Sequence, residues 1–150
     1  MGIQAFLLPA SINAIIAQRL IRRLCDCKKQ ISANDLDEKT KQSVRRAIAR
    51  TDKQELSDRV PKEILANPVF YEPCGCEKCN QTGYKGRVGI YEIMEITPKI
   101  KTLILENASG VTINEVAITE GMISLEQDGI MKALNGLTSL IEVYAAAKEE

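Results

Sequence analysis

The sequence predicts an α+β chain that is mostly helical: a helical C-terminal subdomain, a small antiparallel sheet and an inserted four-cysteine zinc module. Three observations predict it. From Pro98 onward, apolar residues recur at helical spacing in four successive segments. Before them, "RVGIYEIMEI" (Arg87–Ile96) alternates as a strand does. Five cysteines fall into two groups, Cys25 with Cys27 and Cys74 with Cys76 and Cys79, on either side of a charged stretch. The chain divides on this reading into residues 1–24, an inserted module over 25–86, and a strand with C-terminal helices over 87–150.

Element by element, "PASINAIIAQRLIRRLC" reads as a first helix, with Pro9 at its entry and Ser11 as its cap. Ile12, Ile15, Ile16, Leu20 and Leu24 form its apolar face, which should pack against the C-terminal helices. Arg19, Arg22 and Arg23 fall off that face near the helix end, where the dipole favours cations. They read either as a solvated face or as a contact with another domain or subunit. The next stretch, from Ser32 to Pro68, is charged and locally helical. Leu36, Val44, Ala47 and Ile48 give it only a thin apolar stripe, and a short helix over Ser57–Leu65 is interrupted at Pro61.

"VFYEP" reads as a short strand, and glycines 75, 83, 86 and 89 place turns between it and the alternating strand. "PKIKTLILENA" is a helix with Ile100, Leu103 and Ile104 inward. "TINEVAITEG" is a second, with Thr112 as cap and Glu115 completing a capping box. "SLEQDGIMKALNG" is a third, closed by Gly136. "TSLIEVYAAAKEE" is a fourth, opened by a Thr or Ser cap.

Composition excludes several functions. Lys+Arg and Asp+Glu are 20 each, so the formal net charge is zero, unlike a protein that grips nucleic acid by its phosphates. Aromatics are 4% with no Trp, too few for base-stacking platforms. The apolar runs "AFLLPA" and "AIIA" are far shorter than the ~20 residues that span a bilayer. No basic region precedes the first of them, which argues against a signal peptide, and Phe6 stands where a myristoylation signal needs Ser or Thr. No G-x-x-x-x-G-K-[ST] loop occurs, so "GYKGRVG" reads as a turn and strand rather than a phosphate cradle. The absence of histidine removes Ser-His and Cys-His pairs.

The cysteines carry the strongest chemical signal. In a reducing compartment an odd count of five favours metal over disulfides. Cys76 and Cys79 form C-x-x-C, a spacing that turns both thiolates towards one tetrahedral ion. Cys25 and Cys27 form the tighter C-x-C. Four sulfur ligands leave no position for water, so the zinc is structural and staples the charged insertion to the strand that follows. Cys74 is the alternate ligand should Cys27 fail. Buried reduced cysteines or redox chemistry are the competing readings.

Three motifs in order, "FLLPASINAIIAQRLIRRLC", "GCEKCNQTGYKGRVGIYEIM" and "GMISLEQDGIMKALNGLTSLIEV", resemble the C-terminal part of the type II secretion and type IV pilus assembly ATPases. The resemblance runs from Gly2 to about Lys148, weakest over Gln30–Pro73. It implies a hexameric motor on the cytoplasmic face of the inner membrane that works through a membrane platform protein, with ATP and magnesium in the full-length family. It also implies a four-cysteine zinc module, in which Cys25 takes the first ligand position and Cys76 and Cys79 the last two. That family shows C-x-x-C at the first pair. One residue fewer stands here, and Cys27 takes the remaining place. The Walker A loop, acidic and histidine boxes and Walker B lie upstream of the resembling segment. The chain therefore reads as a part truncated before its nucleotide-binding motifs, with residues 1–24 derived from the motor core. No activity is then expected from it alone. Arg19, Arg22, Arg23, Lys85 and Arg87 are candidate contacts with neighbouring subunits and the core. A stand-alone zinc-knuckle adaptor is the alternative, since "CEKCNQTGYKGR" also resembles the knuckles of chaperone zinc domains, although only one copy is present.

Overall fold

In order along the chain come strand β1 (Ala14–Leu24), β2 (Lys29–Ser32), α1 (Glu38–Arg50), α2 (Lys53–Arg59), α3 (Lys62–Ala66) and β3 (Val69–Glu72). β4 (Tyr84–Glu95), α4 (Pro98–Leu105), α5 (Gly110–Thr119), α6 (Leu125–Leu134) and α7 (Leu140–Ala147) follow. This is a computed structural model, and it describes residues 11–147. The strands form two pairs, β1 with β4 and β2 with β3. β2 and β3 are antiparallel, with Lys29 opposite Glu72 and Ser32 opposite Val69. Contacts divide the chain into two units: one holds residues up to 17 with 92–124, the other 18–91 with the segment from 125 onward. β1 and β4 contribute residues to both.

The first element differs from the sequence expectation. Residues 14–24 form a strand, not a helix. The expected apolar stripe is broken up: Ile16 is 63% and Leu20 58% exposed, while Ile21 and Leu24 are buried. The helical spacing of Ile15, Ile16 and Leu20 is real, but β-branched isoleucines also suit a pleated strand, and the partner strand decides between the two. β4 is that partner, and it runs antiparallel. The Cys25 N–H donates to the Gly83 carbonyl and the Ile96 N–H to the Asn13 carbonyl, both at 2.9 Å. The packing expected of Ile16 and Leu20 against the C-terminal helices therefore fails. Pro9 lies outside the described residues, and the dipole argument for the three arginines lapses with the helix.

In the larger unit, α6 is the central element. Eight of its residues are buried, from Leu125 to Leu134. α1 lays Val44 and Ala47 towards it, and the buried Gln127 amide donates to Thr51 Oγ1 at 3.0 Å. Val60, Phe70 and Val143 are almost fully enclosed. The charged stretch is thus better packed than its thin stripe suggested, because Leu56 of α2, Val60 just after it and Phe70 of β3 add to the α1 stripe. Pro61 separates α2 from α3 as expected. Gly136 (φ +68°) ends α6 in the left-handed region that favours glycine. Ser139 opens α7, its Oγ accepting the Glu142 N–H.

In the smaller unit, Ile96, Ile100 and Ala117 form the core, with Ile12, Met94, Ile104 and Ile113 packed around it. Thr97 caps α4 by accepting from the Ile100 N–H. The cap of α5 is Ser109 and not Thr112: Ser109 Oγ accepts the Thr112 N–H at 3.2 Å, so the helix begins one turn earlier than expected. Both residues are good caps, and the earlier one lets Val111 and Thr112 enter the first turn. No helix among the described residues is long and apolar enough to cross a membrane.

Candidate metal centre

Four cysteines from two distant parts of the sequence meet in the larger unit. Cys25 follows β1 directly, and a turn closed by the Lys28 N–H on the Cys25 carbonyl (3.0 Å) brings Cys27 back beside it. Cys76 opens a 3₁₀ turn, Glu77–Cys79, that ends at Cys79. Asn80 and Gln81 then take positive φ, 50° and 62°, and reverse the chain. Gly83 completes the knuckle. Its N–H points at Cys79 Sγ (3.2 Å) while its carbonyl accepts from Cys25, which links the two cysteine pairs through one residue. With φ at +76° and the Pro73 Cβ only 2.4 Å from where a side chain would begin, this position demands glycine.

The sulfurs of Cys25, Cys27, Cys76 and Cys79 all lie within 4.8 Å of one another. Cys25–Cys76 and Cys27–Cys79 are 3.9 Å apart and Cys76–Cys79 3.7 Å. These are nearly twice a disulfide bond length. They fit the edges of a tetrahedron of thiolates about 2.3 Å from one ion, which are roughly 3.8 Å long. Cys25 and Cys79 are buried, Cys27 and Cys76 half-buried; Cys74 is exposed and outside the group. The short C-x-C pair thus reaches the same centre as the C-x-x-C pair.

Burial opposes charge on Cys79, but the N–H groups of Cys76 (3.1 Å) and Gly83 aimed at its sulfur, together with the Cys76 and Cys27 thiols, outweigh burial. They draw the Cys79 pKa down to about 6. Cys27 moves the other way, to about 12, because burial and the neighbouring sulfurs disfavour a second negative charge, while the Gly75 N–H only partly offsets them. One thiolate is prepared by the backbone. Burial and the crowded sulfurs hold Cys27 protonated unless a cation sits beside it.

The arginine and lysine candidates lie on the paired strands β1 and β4. Arg22 donates to Glu142 at 2.6 Å and lies 4.2 Å over the Tyr84 ring. That hydrogen bond holds the Glu142 carboxyl below the ordinary range, against the effect of burial. Arg19 is half-buried; Arg23, Lys85 and Arg87 are exposed.

Sequence reasoning passed over the polar centre on α6. Asp128, 2% exposed, accepts from the Tyr91 N–H (2.8 Å), from Arg59 (3.1 Å) and from Lys132. It ties β4, α2 and α6 together. An acid at an inward position of "SLEQDGIMKAL" was the available signal, because a buried carboxylate needs paired cations.

A family model described as "Type II/IV secretion system protein" matches residues 1–145. The chain belongs to this family. It is 38% identical over 150 residues to the type IV pilus assembly ATPase PilB of Pseudomonas aeruginosa, an alignment that takes in 99% of this chain and 23% of that protein. It is 37% identical over 151 residues to the type II secretion system protein E of Aeromonas hydrophila, covering 100% of this chain and 26% of that protein. The type II secretion system ATPase E of Vibrio cholerae is 35% identical over 150 residues, with 99% and 26% covered. The chain therefore spans about a quarter of the length of these curated relatives.

Proposed function

We propose that this chain is a structural and subunit-contacting part of a hexameric ATPase that powers type II secretion or type IV pilus assembly, held together locally by one structural zinc ion. The four-sulfur geometry carries the reading. Four thiols from residues 25–79, spaced as the corners of a tetrahedron, suit a d¹⁰ ion with no open coordination position. Bound zinc would cross-link the β1 end to the knuckle before β4 and bound a module over 25–86. Small zinc modules draw ~10 kcal/mol or more of folding free energy from the metal. Here the packed helices share that task.

Arg23, Lys85 and Arg87 are free to meet neighbouring subunits or the motor core. Arg19 and Arg22 would act at the same surface, Arg22 while paired with Glu142 of α7. The assembled motor would lie in the cytoplasm against the inner membrane, and a membrane platform protein would be its partner. ATP and magnesium belong to the full-length family, since this chain has no phosphate loop. The test is an ATPase assay on the purified chain. No steady phosphate release above a mock purification is expected. Release that co-purifies with the chain and survives removal of contaminants would overturn the non-catalytic assignment.

A further inference from the structure

The paired strands β1 and β4 have two outer edges, and one short stretch of chain reaches both. The Cys25 N–H donates to the Gly83 carbonyl and the Asn13 carbonyl accepts from Ile96, so the odd residues of β1 face β4 and the even ones face away. Arg22 and Leu24 therefore turn their backbone groups to the outside of β1. Ile96 faces β1, which turns Gly89 and Tyr91 to the outside of β4. Each of these residues has a partner there. The Tyr91 N–H donates to Asp128 and the Gly89 carbonyl accepts from Lys132 Nζ, both at 2.8 Å. On the other edge the Arg22 N–H donates to Glu142 (3.1 Å) and the Arg22 carbonyl accepts from Thr138 Oγ1 (2.9 Å). The Leu24 N–H donates to the Leu137 carbonyl (2.9 Å). Asp128 and Thr138 are buried, so these contacts are built into the core. The sealing groups and the residues they cover all belong to the larger unit.

We propose that the stretch Asp128–Glu142 is a clasp that seals both strand edges against a further strand, and that an edge freed of it pairs with the same edge of a second copy of this chain. A strand edge is a row of donors and acceptors that another strand completes. Side chains of the clasp take the places such a strand would use. Asp128 and Lys132, one turn apart on α6, supply an acceptor and a donor to the two backbone groups that flank Ile90. Thr138 and Glu142 do the same for both backbone groups of Arg22. Leu20 and Tyr91 stand beside the sealed groups, 58% and 40% exposed. An unsealed edge would therefore be apolar as well as unpaired. Every copy carries the same edge, and like edges related by a two-fold axis are self-complementary. A second copy is thus the strand that an opened edge meets.

The test is residue-resolved amide exchange on the full chain, joined to sedimentation velocity over a range of concentrations. In the native chain the Arg22, Leu24 and Tyr91 amides should be protected like that of Ile90, although they face away from the partner strand. Thr138→Val with Glu142→Ala opens the β1 edge. In dilute solution the Arg22 amide of this variant should exchange about ten-fold faster, with circular dichroism unchanged. At higher concentration a heavier species than any of the native chain should form, and the Arg22 amide should regain protection in it. Unprotected Arg22 and Tyr91 amides in the native chain would overturn the proposal, whether or not the variant folds. So would a folded variant that sediments as the native chain does at every concentration, or a heavier species in which the Arg22 amide still exchanges freely.

Discussion

Serine at any one of Cys25, Cys27, Cys76 or Cys79 removes a corner of the tetrahedron, whereas serine at Cys74 touches an exposed side chain outside it. Metal content measured on the purified variants should fall from near one per chain to well below it in the first four and stay near one in Cys74→Ser. Retention in Cys27→Ser with loss in Cys74→Ser would instead make Cys74 the fourth ligand. Glu142 gives a pH-dependent case. Arg22 hydrogen bonding holds its carboxyl below the ordinary value of 4.5. A depressed acid contributes stability that is complete above 4.5 and is lost as pH falls through the folded value. Arg22 is 57% exposed, so the contribution is below about 1 kcal/mol. Urea titrations should show Glu142→Gln less stable than the native chain at neutral pH, with the difference closing as pH drops below 4.5. An unchanged difference at low pH would show that the ion pair is not its cause. At this scale the cysteine pairs were legible in the sequence, because ligand spacing is local. Asp128 was not, because its partners Arg59 and Tyr91 come from other elements.

The elements from β3 onward were also legible. Turn glycines, Thr97, Gly136 and Ser139 mark their ends by chemistry that needs only neighbouring residues. β1 was misread because its isoleucines satisfy both a helical and an extended pattern, and the choice is made by β4, some 70 residues away. The strand makes a prediction that the helix does not. Ile21 is 5% exposed and Ile16 63%. Ile21→Ala should therefore cost about 2–4 kcal/mol in denaturant unfolding, as for other buried aliphatic truncations. Ile16→Ala should cost well under 1 kcal/mol. Equal and large losses would restore the helical face with Ile16 inward. α5 shows the smaller version of the same limit: Ser109 and Thr112 are both capable caps, three residues apart, and local sequence does not rank them.

For the whole molecule, family membership and the cysteine centre are separate facts that support one another. The family model places the chain among type II/IV secretion system proteins. The geometry brings the two ends of the charged stretch between Cys27 and Cys76 together, with Gly83 hydrogen-bonded to both Cys25 and Cys79. α1, α2 and β3 pack around α6, so this stretch has a core of its own; if the proposed zinc is bound, its removal should loosen residues 25–86 more than it unfolds the unit. The most direct measurement is zinc-edge X-ray absorption on the full chain, purified without chelator and paired with elemental analysis. One zinc per chain with four sulfur neighbours at about 2.3 Å is predicted. A metal-free chain with residues 25–86 still protected from amide exchange, or zinc bound mainly by oxygen or nitrogen, would contradict it.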